Sequence, residues 1–420
     1  MLAGQEARRR WERLCQIRQE KFDRILPEVM RENAVDMWIV AQKEGHNDPM
    51  YEHLGRGYTG SIGYYVFTDR GGDRIERAAL GITGGMLEQC PSYDRVEGNA
   101  DLRAWVEARS PRRIGVNISE EIGAADGLTH TLYQHLRATL GAPFADRLVT
   151  AEKLVSDYRS RHVASELVAF GEAGELSRTI AERALSNEVI VPGRTTLAEV
   201  AWWMWDQLLS RGLGSSFDMP SVYITGPAGI EATSNERIIQ RGDLLIIDWG
   251  VGYLNFWTDV KRMAYVLKEG ERAVPAGFQR AFDQAAKVRE MIRRTIVPGG
   301  TAKDMLDRLN QSVARMPGFA LMKGFNQPGA DPAVTDVIIG CHSVGDLGHG
   351  SGPSIAWFNP QRLTFQIRPT NLFSIEFFAY TAAPEFGGKM VRIPLEDDAV
   401  VTERGIEWLY PVNRGILVIK

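Results

Sequence analysis

The chain has 420 residues, 44% hydrophobic and 24% charged, long enough for two or three domains with a sizeable core. A formal net charge of -4, with both signs interspersed, leaves no basic footprint for nucleic acid or an anionic membrane surface. No run approaches the roughly 18 apolar residues that cross a bilayer, and the arginines near the start precede no apolar signal core, so a cytoplasmic protein handling a small molecule is expected.

In chain order, residues 1–25 have the spacing of an amphipathic helix, with helical pattern continuing over Phe22 to Asn33. Strand-like runs follow at Asp36 to Ala41 and Gly63 to Thr68, and the alternation recurs in Arg113 to Asn117 and Ala125 to Leu140. A small α/β domain is predicted over residues 1–155, bounded by the charged, helix-forming stretch Asp157 to His162. Cys15, Cys90 and Cys341 are an odd number at wide spacing, which reads as reduced thiols rather than a disulfide framework or zinc pattern.

Beyond the boundary the chain repeats itself. A helix ending near Asn187 leads through Val191-Pro-Gly-Arg-Thr195 into a helix over Leu197 to Leu209. A second, ending near Arg294, leads through Val297-Pro-Gly-Gly-Thr301 into a helix over Ala302 to Ala314. Pro and Gly stop the first helix of each pair and Thr caps the second. Two such halves predict a catalytic domain over 156–420 with pseudo-twofold symmetry and a site between the halves.

The chemistry-bearing residues lie in this second domain. Asp248 ends the apolar run Leu244 to Ile247, and Asp259 lies on the other arm of the hairpin that follows. A carboxylate at the end of a buried run needs a cation or several donors, although an aspartate capping a turn also fits this segment alone. His342 and His349 fall in a glycine-dense segment, Gly340 to Pro353, where backbone must turn sharply or approach a ligand. Either histidine alone reads more readily as a structural residue than as a ligand. Glu376 sits among apolar and aromatic neighbours, and Glu396 follows Val391-Arg-Ile-Pro-Leu; ligation or acid/base work explains such acids best.

In order and spacing these residues resemble the creatinase, prolidase, Xaa-Pro aminopeptidase and methionine aminopeptidase superfamily. Asp248, Asp259, His342, Glu376 and Glu396, with Val401-Thr402 after them, match its ligand series, and His349 matches a substrate-orienting histidine. The resemblance implies an α/β (α+β) chain: a small creatinase-like N-terminal α/β domain and a pita-bread catalytic domain. It implies two divalent ions, Mn2+ foremost with Fe2+, Co2+ or Zn2+ as alternatives, held mostly by hard oxygen donors. Asp259 and Glu396 would bridge them, Asp248 would bind one, and His342 and Glu376 the other. Water activated between the ions would attack a peptide or peptide-like amide, with Glu376 shuttling the proton. Hydrolysis of a non-peptide amide, a lyase step, or a catalytically idle binding module are the alternatives, and a homodimer is expected.

Departures concern the substrate. Ile230 and Ile338 stand where relatives carry histidines, and Pro394 where proline-selective members carry arginine, so weak preference for Xaa-Pro bonds is expected. Arg392, Trp357, Phe358 and Phe378 are the candidate pocket residues, with Trp249 and Trp257 either lining it or belonging to the core. Trp202, Trp203 and Trp205 read as core or subunit packing, and Cys341 as packing.

Overall fold

The computed structural model describes residues 5–99, 101–322, 324–325 and 327–420; the first four residues of the expected N-terminal helix lie outside them. The chain divides into two compact units, Met1–Glu166 and Leu167–Lys420.

The first unit is built on a six-stranded sheet in the order Arg95–Glu97, Glu76–Thr83, Tyr58–Thr68, Met37–Lys43, Ile114–Val116, Leu148–Thr150. Alternation along Met37–Lys43 splits its side chains between two faces. Met37, Ile39 and Ala41 pack with Leu102, Val106, Leu132 and Leu136 from the helices Leu102–Arg109 and His130–Leu140. Trp38 points the other way, stacking on Phe67 at 5.2 Å and lying 6.0 Å from Tyr158. The helix Gln5–Arg24 brings Phe22 to this aromatic face, 5.1 Å from Phe67. One expectation is corrected here: Cys15 and Cys90 form a disulfide, and only Cys341 is a free thiol. The fold brings residues 75 apart in sequence to a Cα separation of 5.7 Å, a closeness that spacing along the chain does not reveal. No helix of the described residues is long and apolar enough to cross a membrane.

The second unit has two halves of like construction. In the first, the helices Ala164–Ala184 and Leu197–Leu209 cover a sheet ordered Leu417–Ile419, Val260–Val266, Leu244–Trp249, Ser221–Gly226, Gly229–Glu231. In the second, the helices Ala276–Thr295 and Ala302–Arg315 pack with a sheet ordered Phe319–Leu321, Thr335–Ile339, Phe377–Ala382, Met390–Leu395. Both second helices begin in a capping box, Thr301 with Asp304 and Thr196 with Glu199. The first half thus uses Thr196 as its cap, one residue beyond the threonine of the repeated motif; Thr195 instead accepts the Val191 backbone N–H at 3.0 Å.

A further five-stranded sheet runs Ser354–Ile355, Cys341–Ser343, Leu372–Ser374, Asp398–Thr402, Gly405–Trp408. Three segments pass from the four-stranded sheet into this one, with breaks at Gly340, at Ile375 and Glu376, and at Glu396 and Asp397. Strand side chains alternate between faces, and the breaks release His342, Glu376 and Glu396 from the apolar alternation on either side.

Candidate metal centre

The antiparallel pairing of Leu244–Trp249 with Val260–Val266 sets the first part of the site. Lys261 lies opposite Asp248 in that register, so the two side chains share a face. Asp259 stands just before the second strand, its backbone N–H donating to Asp398 at 3.2 Å. A tight hairpin, Gly252–Tyr253 with Phe256–Trp257, joins the arms, turning through positive φ at Leu254 and Asn255. Its Trp257 N–H donates to the Gly345 carbonyl at 2.8 Å and thereby docks the glycine-rich segment.

That segment carries both histidines. Buried Asp346 accepts from the Ser351 hydroxyl at 2.6 Å and from its backbone N–H, closing the loop. Close approach explains two of the glycines: a side chain at Gly348 would meet Ser216 at 2.6 Å, and one at Gly350 would meet Asp346 at 2.5 Å and the Ser343 carbonyl at 2.9 Å. The His342 and His349 rings lie 4.6 Å apart, edge to face. His342 is buried among acids, whereas the His349 side chain is 81% exposed.

Six of the sequence-predicted residues converge. His342 Nδ1 faces the Ser343 carbonyl at 3.1 Å, which orients Nε2 towards the carboxylates. Nε2 lies 3.4 Å from Glu396 Oε1, 3.8 Å from Glu376 Oε2 and 4.0 Å from Asp259 Oδ2, yet is buried without a hydrogen-bond partner among the described residues. His349 Nε2 is 3.8 Å from Asp259 Oδ2. Asp248, Asp259 and Glu396 form a second group whose oxygens approach closely enough to share an ion. Ser374 donates to Glu396 Oε1 at 2.6 Å, fixing that carboxylate.

Lys261 is the residue that sequence reasoning missed. Its ammonium lies 3.0 Å from Asp248 Oδ2 and 2.8 Å from Glu376 Oε1, and it also donates to Glu396 Oε2. An ammonium thus stands among the acids expected to hold two metal ions. The available signal was a Lys-Arg pair inside the strand Val260–Val266, with the lysine two residues after a candidate ligand and so on its face. Its neighbour Arg262 points the other way, to Asp397 at 2.8 Å. The consecutive acids Glu396, Asp397 and Asp398 are all buried and serve different partners: Glu396 the site, Asp397 Arg262, and Asp398 the Tyr410 hydroxyl at 3.0 Å.

Crowding sets the electrostatics. Burial pushes Asp248 up to about 6, with Lys261 opposing and Glu396 adding to the rise. Asp259 is raised well above the usual range by burial and by the charges of Glu396 and Asp248. Burial would raise Glu396 too, but Lys261 and His342 outweigh it and bring it to about 2. Burial lowers Lys261, and Asp248, Glu376 and Glu396 more than reverse this, so it stays charged.

The candidate pocket residues divide. Trp357 and Phe358 are exposed and form an aromatic trio with Phe325, which lies 5.7 and 4.9 Å from them. Phe378 is buried between Lys261, 5.9 Å from its ring, and Arg392, 4.2 Å from it. Arg392 lines a cavity of 440 Å³ with Thr225, Ile230, Tyr380 and Met390. Trp249 belongs to the core, donating to the Ser177 carbonyl at 3.3 Å, and Cys341 is core as well. Trp203 and Trp205 pack against the first-half core, while Trp202 is exposed.

A family model, metallopeptidase family M24, matches residues 169–403, more than half of the chain and all of the candidate centre. The chain belongs to metallopeptidase family M24. As a member it is a hydrolase of the peptidase class in a family that depends on metal. Among solved structures, it is similar to an X-Pro aminopeptidase from Thermotoga maritima MSB8, with 18% identity and TM-score 0.65 over 93% of this chain and 99% of that one. An Xaa-Pro dipeptidase from Bacillus anthracis matches with 19% identity and TM-score 0.61 over 96% and 99%. A prolidase from Pyrococcus horikoshii OT3 matches with 17% identity and TM-score 0.59 over 94% and 99%. At such identities the likeness establishes the fold, the pita-bread M24 architecture with its N-terminal domain. No functionally curated sequence is similar enough to count as a relative.

Proposed function

We propose that this M24 member is a metal-dependent hydrolase of short peptides or peptide-like amides. In this reading Asp248, Asp259, His342, Glu376 and Glu396 form the metal-holding cluster and His349 faces the substrate. The observation that carries the reading is the buried His342 Nε2, without a hydrogen-bond partner among the described residues and surrounded by carboxylate oxygens of Asp259, Glu376 and Glu396 at 3.4 to 4.0 Å. Ligands about 2.1 Å from one ion stand about 3.4 Å from each other in a tetrahedron, so this opening has the size of an ion site. A bound divalent ion supplies Lewis-acid polarisation and an acidified water. Oxygen donors with one imidazole favour Mn2+, followed by Fe2+, Co2+ or Zn2+.

The chain's own groups do the rest. Glu376 is a partly exposed acid of the cluster and lies beside Phe358 of the aromatic trio, suited to accept a proton and return it to the leaving amine. His349, exposed and next to Asp259, would donate a hydrogen bond to the scissile carbonyl oxygen as charge develops there. Arg392 offers a cationic anchor one aromatic ring beyond the cluster, where an anionic substrate end would sit. The X-Pro aminopeptidase, Xaa-Pro dipeptidase and prolidase that share this fold suggest the bond class, and Pro394 in place of a selecting arginine argues for relaxed proline preference. The exposed trio Phe325, Trp357 and Phe358 favours a second reading, hydrolysis of an aryl or other apolar small-molecule amide. The exposed Trp202 offers a surface for a homodimer.

The test is turnover by Mn2+-loaded protein on Xaa-Pro dipeptides, apolar non-proline dipeptides and aryl amides, with and without a chelator. Chelator-sensitive cleavage across more than one class is expected. His349→Ala should keep its metal and lose about two orders of magnitude in kcat. Cleavage indifferent to the chelator would overturn the reading, and activity confined to Xaa-Pro substrates would overturn the relaxed selectivity.

A further inference from the structure

Lys261 is only 3% exposed, and the strand register directs it at Asp248. The ammonium engages one oxygen each of three acids: Asp248 Oδ2 at 3.0 Å, Glu376 Oε1 at 2.8 Å, and Glu396 Oε2. Two of these, Asp248 and Glu396, belong to the Asp248, Asp259 and Glu396 group that would otherwise share an ion. The opposite oxygens, Glu376 Oε2 and Glu396 Oε1, turn towards His342 Nε2, where they leave the ion-sized opening with Asp259 Oδ2. The cluster therefore has two cation places that share Glu376 and Glu396, and a side chain of the protein fills one of them. Two dications and an ammonium would compete for the same few oxygens inside a desolvated site, where like charges repel strongly.

We infer that the centre binds a single divalent ion, on the His342 side, and that the Lys261 ammonium takes the second cation place. This rests on the metal-dependent reading above and revises the ion count expected from sequence. Lys261 then anchors Asp248, Glu376 and Glu396 as a fixed monovalent charge. The substrate meets one Lewis-acidic ion.

The experiment is a count of bound Mn2+ after chelator stripping, reloading and gel filtration, paired with electron paramagnetic resonance of the same samples. The full-length wild type is expected to retain about one ion per chain, with the spectrum of an isolated Mn2+ rather than an exchange-coupled pair. Lys261→Ser, which removes the charge and opens the space, is expected to retain about two ions and show coupling. Two coupled ions in the wild type would overturn the inference while leaving the metal-dependent reading intact. No retained ion in the wild type would remove both. A Lys261→Ser protein still holding one ion would show that the lysine does not occupy the second place. Should that variant fail to fold, the wild-type count and spectrum decide by themselves.

Discussion

Asp48 shows how a single buried carboxylate makes its unit sensitive to pH. It accepts from the Met50 backbone N–H at 2.8 Å and from the Asn117 amide at 3.0 Å, while Asn117 in turn accepts from the Trp38 indole at 2.9 Å. Burial nonetheless dominates and pushes Asp48 up to about 6. The folded state therefore holds this proton more tightly than the unfolded chain. The stabilising contribution is complete below about 4 and is lost as pH rises through about 6, amounting to about 3 kcal/mol. Chemical denaturation of the first unit should show stability falling over that window, and Asp48→Asn should flatten this part of the profile. An unchanged slope in the variant would show that another group titrates. Within the candidate centre, acids and histidines were legible because apolar surroundings make a carboxylate conspicuous and glycine density marks a close approach. Lys261 was not, because its role depends on standing opposite Asp248, a matter of pairing register rather than of spacing along the chain.

At the scale of elements, local patterning reads well and long-range partnership reads poorly. The helix Leu197–Leu209 has the bounds expected from sequence, since apolar periodicity and a threonine cap are local signals. The Cys15–Cys90 disulfide was missed because the closed chain length carries no local signature. It ties the helix Gln5–Arg24 to the segment after the short helix Gly85–Glu88. Closing a loop of this length is worth about 4 kcal/mol in chain entropy. Thiol titration of the unfolded, unreduced protein should find Cys341 alone, and Cys90→Ser should lower the melting temperature of the first unit. Three reactive thiols before reduction would contradict the pairing. The division of three segments between two sheets was equally invisible, since the sheet a strand joins is set by its distant pairing partners. The breaks at Gly340, Glu376 and Glu396 are nevertheless what turn the ligand residues towards a common point.

For the whole molecule, the duplicated half explains why a polar centre sits inside an apolar unit. Each half supplies a sheet with its own helical cover. Asp248, Asp259 and Lys261 come from the first half, while His342, Glu376 and Glu396 come from the second. The opening beside His342 is lined by Glu376 and Glu396 of the second half and by Asp259 of the first, so metal affinity depends on the folded pair and should vanish on unfolding. The most direct measurement is anomalous diffraction at the manganese edge from crystals grown with Mn2+. The account predicts a peak within coordination reach of His342 Nε2, Glu376 and Glu396, with Lys261 still directed at Asp248. Full-occupancy manganese at surface positions only, with His342 Nε2 left without an ion, would contradict it.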